Sequence, residues 1–366
     1  MKLGIVGGGQ LGRMLALAAH PLGIDVTVLD PAQDAPAAAV ARHIRAAYDD
    51  ERALRELAAW ADVVTYEFES LPAAALARVA ERAPLRPGVE SLRATQDRIA
   101  ERALLARCGV TIADHHVIHD AADLEAAADA TSLFPGRLKT ARGGYDGHGQ
   151  RVVESRAQLA DVWHELGDVP CLLEAHVSFA RELSLVGVRA ADATMRCWPV
   201  VENRHVDGVL ASTLAPAPGL DDDLQRDAEA IFAAVASELD HVGVLAVELF
   251  DTPEGLVANE IAPRVHNSGH WTIEGACTSQ FENHVRAVCE LPLGSCELVS
   301  PAVMVNLLGE LPRRAQLLDL PRTSLHDYGK QPRPGRKLGH VTQLVPDGDV
   351  TAAAAALAAA ITPVPH

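Results

Sequence analysis

The sequence predicts an α/β protein of two or three domains, and three observations lead there. The first hundred or so residues alternate apolar strands with helical periodicity, as in a parallel sheet of the mononucleotide-binding type. Residues 244–262 read as a β-hairpin whose arms are apolar except for Glu248 on the first and Asn259-Glu260 on the second. At 366 residues the chain can bury a large core and divide it between domains.

Taken in order, LGIVG (3–7) is a strand and residues 11–22 have helical spacing. VTVLD (26–30) is the second strand and residues 50–59 a helix; VVTYE (63–67) is the third strand and residues 72–82 a further helix. Residues 94–108 read as one helix, ended by Gly109, that leads to the next domain. Residues 110–180 mix short strands with two helical stretches and a glycine-rich loop. Residues 221–241 form a helix rich in Ala and acids. After about Ser300 short strands with Pro/Gly turns return, and an Ala-rich helix over 351–361 closes the chain. There is no internal repeat.

In VLAVELF (244–250) only Glu248 is polar, the pattern of a strand buried on both faces. DTPEG (251–255) supplies the turn, and folding about it places Glu248 opposite Asn259 or Glu260. Two carboxylates so placed repel each other and lose hydration unless a cation lies between them. A hard divalent cation suits oxygen ligands, and magnesium usually arrives with phosphates attached. The bland alternative is one exposed glutamate and one in a salt bridge.

GGGQLG (7–12) satisfies GxGxxG between a strand and a helix, with Asp30 ending the second strand. Read alone, this indicates a nicotinamide dinucleotide; the same turn suits a monophosphate or packing alone. KTARGGYDGHGQ (139–150) sets a lysine at a strand end before a glycine-rich loop, whose backbone N–H groups can close over a polyphosphate. It is not a Walker A loop, and the alternative is a plain hairpin turn. CLLEAHV (171–177), with Glu182 soon after, can offer an adenine backbone hydrogen bonds and a ribose a carboxylate. RVHNSGHW (264–271) follows the acidic hairpin, and so many polar groups at the mouth of a buried sheet point to a ligand. KQPRPGRK (330–337) is a basic cluster stiffened by prolines in an acidic chain, which favours an anion site over a solvated loop.

The net charge of −17 argues against nucleic-acid binding but not against a small anionic substrate. No apolar run is long enough to cross a bilayer, and a strand begins directly after Lys2 in place of a signal peptide. The six cysteines show no CxxC pair or zinc-type spacing and read as reduced structural thiols, so a cytoplasmic location is expected. His115, His116 and His119 cluster beside a predicted strand with no facing ligand, which argues against a metal there.

The succession GGGQLGRM, YEFE, GGYDGHGQ, VELF, NEIAPRVHNSGHWT and YGKQPRPGRKLGH resembles the N5-carboxyaminoimidazole ribonucleotide synthases of purine biosynthesis, members of the ATP-grasp superfamily. The resemblance spans nearly the whole chain. It implies an N-terminal parallel α/β (pre-ATP-grasp) domain over 1–95, and a linker helix with the ATP-grasp small lobe over 96–180. A large lobe over 181–298 and a small C-terminal β-containing domain over 299–366 complete it. It also implies that ATP and bicarbonate form carboxyphosphate, which carboxylates the exocyclic amine of aminoimidazole ribonucleotide, with Mg2+ as cofactor and a homodimer as the assembly.

On this resemblance Glu248 and Glu260 match the metal ligands, with Asn259 beside them. Lys139 neutralises phosphate charge, and Gly144, Tyr145, Asp146, Gly147, His148, Gly149 and Gln150 form the lid. Arg98, the Glu174, Ala175, His176, Val177 link, Glu182 and His205 match nucleotide contacts. Tyr145, Asp146, Arg264, His266, Asn267, Ser268, Lys330 and Arg336 match positions near the ribonucleotide. Asp146, Arg264 and Lys330 match the catalytic groups: Asp146 would orient or deprotonate the amine, and Arg264 would hold bicarbonate or carboxyphosphate. The chain departs from the family at His148, where Lys or Arg is usual, at Arg102, which replaces a common lysine, and in its EAHV form of the adenine link. A dehydrogenase would leave the paired acids unexplained; a non-catalytic nucleotide-binding protein would have no use for them.

Overall fold

The computed structural model describes residues 1–144, 149–346 and 348–361. Four parallel strands open the chain: β1 (Lys2–Val6), β2 (Asp25–Leu29), β3 (Arg42–Ile44) and β4 (Val63–Tyr66), in the order β3-β2-β1-β4. Helix Gln10–Ala19 packs Leu11, Met14, Leu15 and Ala19 inward, the i, i+3, i+4 stripe of an amphipathic helix. It ends three residues before the predicted limit, because Pro21 and the left-handed Gly23 turn residues His20–Leu22 into a 3-10 segment.

The single helix expected over 94–108 is two, Val89–Thr95 and Arg98–Arg107. Asp97 divides them: its side chain accepts the N–H groups of Ile99 at 3.0 Å and Ala100 at 3.3 Å, which starts a new helix.

The second sheet holds β5 (His115–Ile118), β6 (Gly136–Thr140), β7 (Gln150–Val153) and β8 (Cys171–Ala175), antiparallel in the order β5-β8-β6-β7. Helices Ala121–Asp129 and Arg156–Glu165 cover one face, the second packing Leu159 and Trp163 into a cluster with Ile118 and Leu138.

The third sheet contains β9 (Arg181–Arg189), β10 (Met195–Cys197), β11 (Val201–Val206), β12 (Val209–Ala215), β13 (Gly243–Thr252), β14 (Gly255–Ala262), β15 (Ala302–Leu308), β16 (Thr323–Asp327) and β17 (Lys337–Leu344). The strands run β14-β13-β9-β11-β12-β15-β17-β16, with β10 beside β9. The C-terminal strands thus extend the sheet of the large lobe through the β12–β15 pairing, and helix Val350–Ile361 packs on them through Leu357. Helix Asp222–Glu238 lies on the central strands, where Gly187 leaves room for the Phe232 ring; a Cβ there would come within 2.6 Å of it.

Two buried histidines pin the start of β13 to the N-terminal region. His284 accepts the Val244 N–H at Nδ1 (3.1 Å), so its Nε2 donates to Thr65 Oγ1 (2.8 Å). His241 donates from Nε2 to the Val244 carbonyl (3.0 Å) and accepts from Ser91 Oγ at Nδ1 (3.0 Å).

Candidate active site

The acidic hairpin is tighter than the sequence suggested. β13 runs to Thr252 and pairs with Gly255 across a two-residue turn, not a five-residue one. On that register Glu248 would face Asn259. A bulge between Glu248 and Leu249 shifts the pairing by one residue, and Glu248 faces Glu260. Asn259, the extra residue, gives its carbonyl to Arg102 Nη2 at 2.6 Å.

The hairpin forms one wall of a cavity of about 900 Å³ between the three sheets. His266 Nε2 lies 3.2 Å from Glu248, and its Nδ1 accepts from Ser268 Oγ at 2.8 Å, which assigns the proton to Nε2. Burial raises the Glu248 pKa, but the hydrogen bond from His266 and the cationic surroundings outweigh it and leave Glu248 low. Glu260 goes the other way, raised by burial and by the Glu248 charge opposite. Glu260 is exposed to the open cleft, so the like charge is the cause that matters. Such a pair is relieved by a bound cation.

Among the described residues no group of three or more His, Cys, Asp or Glu could hold a metal alone. The donor set is therefore two facing carboxylates, which fits magnesium, an ion that keeps waters and takes the rest of its shell from phosphates.

Beside the hairpin, Lys139 Nζ meets Glu174 Oε2 at 2.5 Å, and Arg102 Nε meets Glu174 Oε1 at 2.6 Å. Burial raises the Glu174 pKa, but Lys139 and then Arg102 overcome it and bring it down to about 2. Arg102 also pairs with Glu101 at 3.0 Å, and Glu101 accepts the Ile261 N–H at 2.7 Å. Both peptide groups flanking Glu260 are thus held by the linker helix. Burial pushes Glu101 up to about 7 against the pull of Arg102.

Across the cleft Glu182 bonds His205 Nδ1; burial lowers the His205 pKa, and the Glu182 bond followed by Glu248 more than restores it. Arg98 opens its helix at the cleft, with its backbone N–H on the Ala141 carbonyl at 2.8 Å.

At the far end Arg264 forms a two-pronged ion pair with Glu69, Nη2 to Oε1 at 3.0 Å and Nε to Oε2. Both amide atoms of Asn267 are buried at the cleft wall without a hydrogen-bond partner among the described residues.

The cavity wall brings together Arg98, Lys139, Gly144, Gln150, Glu174, Ala175, His176, Val177, Glu182, His205, Glu248, Asn259, Glu260, Arg264, His266 and Asn267. Tyr145, Asp146, Gly147 and His148 lie outside the described residues.

Four of the expected residues have other contacts or stand off the cleft wall. The Glu174 carboxylate bonds Lys139 and Arg102, and the Ala175 and His176 N–H groups of the link bond the Asp114 and Pro135 carbonyls at 2.8 and 3.0 Å. Ser268 is fully buried behind His266 and does not line the cleft. Arg336 is off the wall, donating to the Gln331 carbonyl at 3.1 Å to brace its loop. Gly149 is also off the wall; it closes the β6–β7 hairpin through its carbonyl to Thr140 N–H at 2.8 Å. Lys330 stands at the cleft's edge, bonded to Gln10 Oε1 over the Tyr328 ring.

Sequence reasoning missed Glu69, Glu101 and Gln10 as wall residues. Glu69 had a signal as the second acid of YEFE; Glu101 had none, since a helical Glu is ordinary.

Of the readings open to the GxGxxG loop, packing is favoured over a nicotinamide dinucleotide. Glu67 Oε1 accepts the Gly9 N–H and Oε2 the Gly12 N–H at 2.6 Å, where a pyrophosphate would bind. Asp30 is occupied by the Gly8 N–H at 2.8 Å and the Tyr48 hydroxyl at 2.7 Å.

Two facing carboxylates, a half-buried lysine at a strand end and a cleft between lobes define an ATP-grasp enzyme, an ATP-dependent ligase. Residues 103–281 match the ATP-grasp domain, residues 1–96 the ribonucleotide synthetase preATP-grasp domain and residues 302–354 the phosphoribosylaminoimidazole carboxylase C-terminal domain. The chain is 50% identical to the N5-carboxyaminoimidazole ribonucleotide synthase of Pseudomonas aeruginosa, covering 93% of this chain and 94% of that one. The Bacillus subtilis enzyme of the same name is 41% identical, covering 93% and 90%. The crystal structure of the synthetase from Thermus thermophilus superposes with a TM-score of 0.93 at 44% identity, covering 100% of this chain and 99% of that one. An Aspergillus clavatus synthase in complex with ADP and 5-aminoimidazole ribonucleotide superposes with a TM-score of 0.90 at 31% identity, covering 98% of each chain. The chain belongs to the N5-carboxyaminoimidazole ribonucleotide synthase family.

Among the described residues no helix is long and apolar enough to cross a membrane.

Proposed function

We infer that the protein carboxylates the exocyclic amine of 5-aminoimidazole ribonucleotide, using ATP and bicarbonate, in purine biosynthesis. The observation that carries this reading is the Glu248–Glu260 pairing in one cavity with Lys139 on one side and Arg264 on the other. A bicarbonate oxygen attacks the γ-phosphorus and ADP leaves, giving carboxyphosphate. The amine nitrogen then bonds to the carboxyl carbon, phosphate leaves, and the amine gives up a proton.

Lys139, held by Glu174 at 2.5 Å, neutralises ATP phosphate charge. Glu182 takes ribose hydroxyls with the oxygen not bonded to His205, and the Val177 backbone faces the adenine. Arg264, fixed by Glu69, presents its remaining face to bicarbonate and stabilises the developing charge at the carboxyl group. Asn267 and Lys330 hold the ribonucleotide, and Asp146, by resemblance, receives the amine proton. Glu248 and Glu260 would hold Mg2+, which would draw charge from the ATP phosphates. The family's cytoplasmic setting and homodimeric assembly go with this reading.

The test is ADP release in the presence of magnesium and bicarbonate, with and without aminoimidazole ribonucleotide. Ribonucleotide-dependent ADP is the expected result; folded protein that gives none overturns the reading.

A further inference from the structure

Glu67 directly follows β4 and is 6% exposed, yet the chemistry above gives it no part. Its carboxylate fills the N-terminal turn of helix Gln10–Ala19, accepting from Gly9 and Gly12. The glycines are shaped to it. A Cβ on Gly7 would collide with Glu67 Cγ, and one on Gly9 would lie 2.7 Å from Oε1. The loop that resembles a dinucleotide cradle therefore carries its own anion, delivered from β4.

Gln10, between those two bonded glycines, reaches the other way. Its Oε1 accepts from Lys330 Nζ, and Gln10 and Tyr328 both line the cleft. Three segments far apart in sequence, 7–12, 67 and 328–330, thus meet at the end of the cleft occupied by Arg264.

We propose that Glu67 is a positioning residue: lodged in the 7–12 loop as a built-in anion, it fixes Gln10, which in turn holds the Lys330 ammonium at the ribonucleotide end of the cleft. The proposal rests on the reading that Lys330 serves the ribonucleotide. Lys330 is also tuned by its surroundings. Burial and the positive charges of Arg336, Lys337 and Arg333 bring its pKa down to about 8, against the opposing negative charge of Glu67.

The test is Glu67→Gln, followed by steady-state kinetics against pH. Glutamine keeps the volume but cannot accept from both loop N–H groups, and it removes the negative charge. The KM for the ribonucleotide should rise about tenfold, the worth of one hydrogen bond to a charged group, while the KM for ATP stays unchanged. Lys330 loses a favourable neighbour and deprotonates earlier, so the alkaline limb of kcat/KM for the ribonucleotide should move to lower pH. Equal loss for both substrates with an unmoved limb would overturn the proposal and leave Glu67 a structural residue.

Gln10→Ala tests the second link and decides the matter if the Glu67 variant does not fold. It should raise the ribonucleotide KM selectively, and an unchanged KM overturns the proposal. Wild-type enzyme run alongside separates the two failures: ribonucleotide-dependent ADP release there upholds the reaction even if both variants behave normally.

Discussion

Glu260 faces Glu248 at the last paired position before the β13–β14 bulge, and the bulge alone turns Glu260, not Asn259, toward its partner. Replacing Glu260 by Gln removes the repulsion and the ligand charge with little change in volume. Turnover should fall at least about a hundredfold, in the range found when one electrostatic group is removed from a reacting centre. The melting temperature without metal should not fall, and the stabilisation given by Mg-ATP should be lost. Near-normal turnover would show that the hairpin is not the metal site.

Glu174 stands between two cations, Lys139 at 2.5 Å and Arg102 at 2.6 Å, in a setting only 4% exposed. Glu174→Gln leaves both cations short of a counter-charge, a change that costs about 3–5 kcal/mol when a buried pair is broken. Urea unfolding should show a loss of that order, with Arg102→Leu giving a comparable one. Little change in the unfolding midpoint for both would mean the network is not a stabilising bridge between the lobes.

His284 and His241 stay neutral through burial, with pKa values lowered to about 3 and about 4. A depressed folded-state value contributes stability above the unfolded value of 6.5, and that stability is lost as pH falls toward the folded one. Stability should therefore begin to decline below about pH 6.5, before most carboxylates titrate. Glu174 adds a second, lower window: its contribution is lost as pH falls from 4.5 toward about 2. Melting temperatures across pH 4–8 check the first window, and in His284→Gln the decline below pH 6.5 should be shallower.

Lys330→Ala should weaken the ribonucleotide more than ATP, by about ten- to a hundredfold in KM for a charge-assisted contact. Parallel titrations of the two substrates read this directly. Equal loss of both would remove Lys330 from the ribonucleotide end.

The parallel N-terminal sheet and the acidic hairpin were legible because each broke or kept a local period: alternating strand and helix in one case, a lone Glu in an apolar strand in the other. The facing register was not, because the bulge at Asn259 is held by Arg102 on a helix 157 residues away. What fills the GxGxxG loop was hidden for the same reason. Its occupant, Glu67, comes from another strand, and nothing within the loop announces it. The helix break at Asp97 could have been seen from its N-cap position, whereas the joining of β15 to β12 depends on pairing that no local pattern encodes. Ser268 bonds His266 and Arg336 bonds the Gln331 carbonyl, contacts that no local pattern announces.

The central claim is that ATP activates bicarbonate at the Glu248–Glu260 wall before transfer to the amine. Turnover with 18O-labelled bicarbonate, magnesium, ATP and aminoimidazole ribonucleotide tests it most directly. One labelled oxygen per phosphate released is the predicted result, since the bicarbonate oxygen that attacks phosphorus leaves with it. Unlabelled phosphate accompanying carboxylated product would contradict the account.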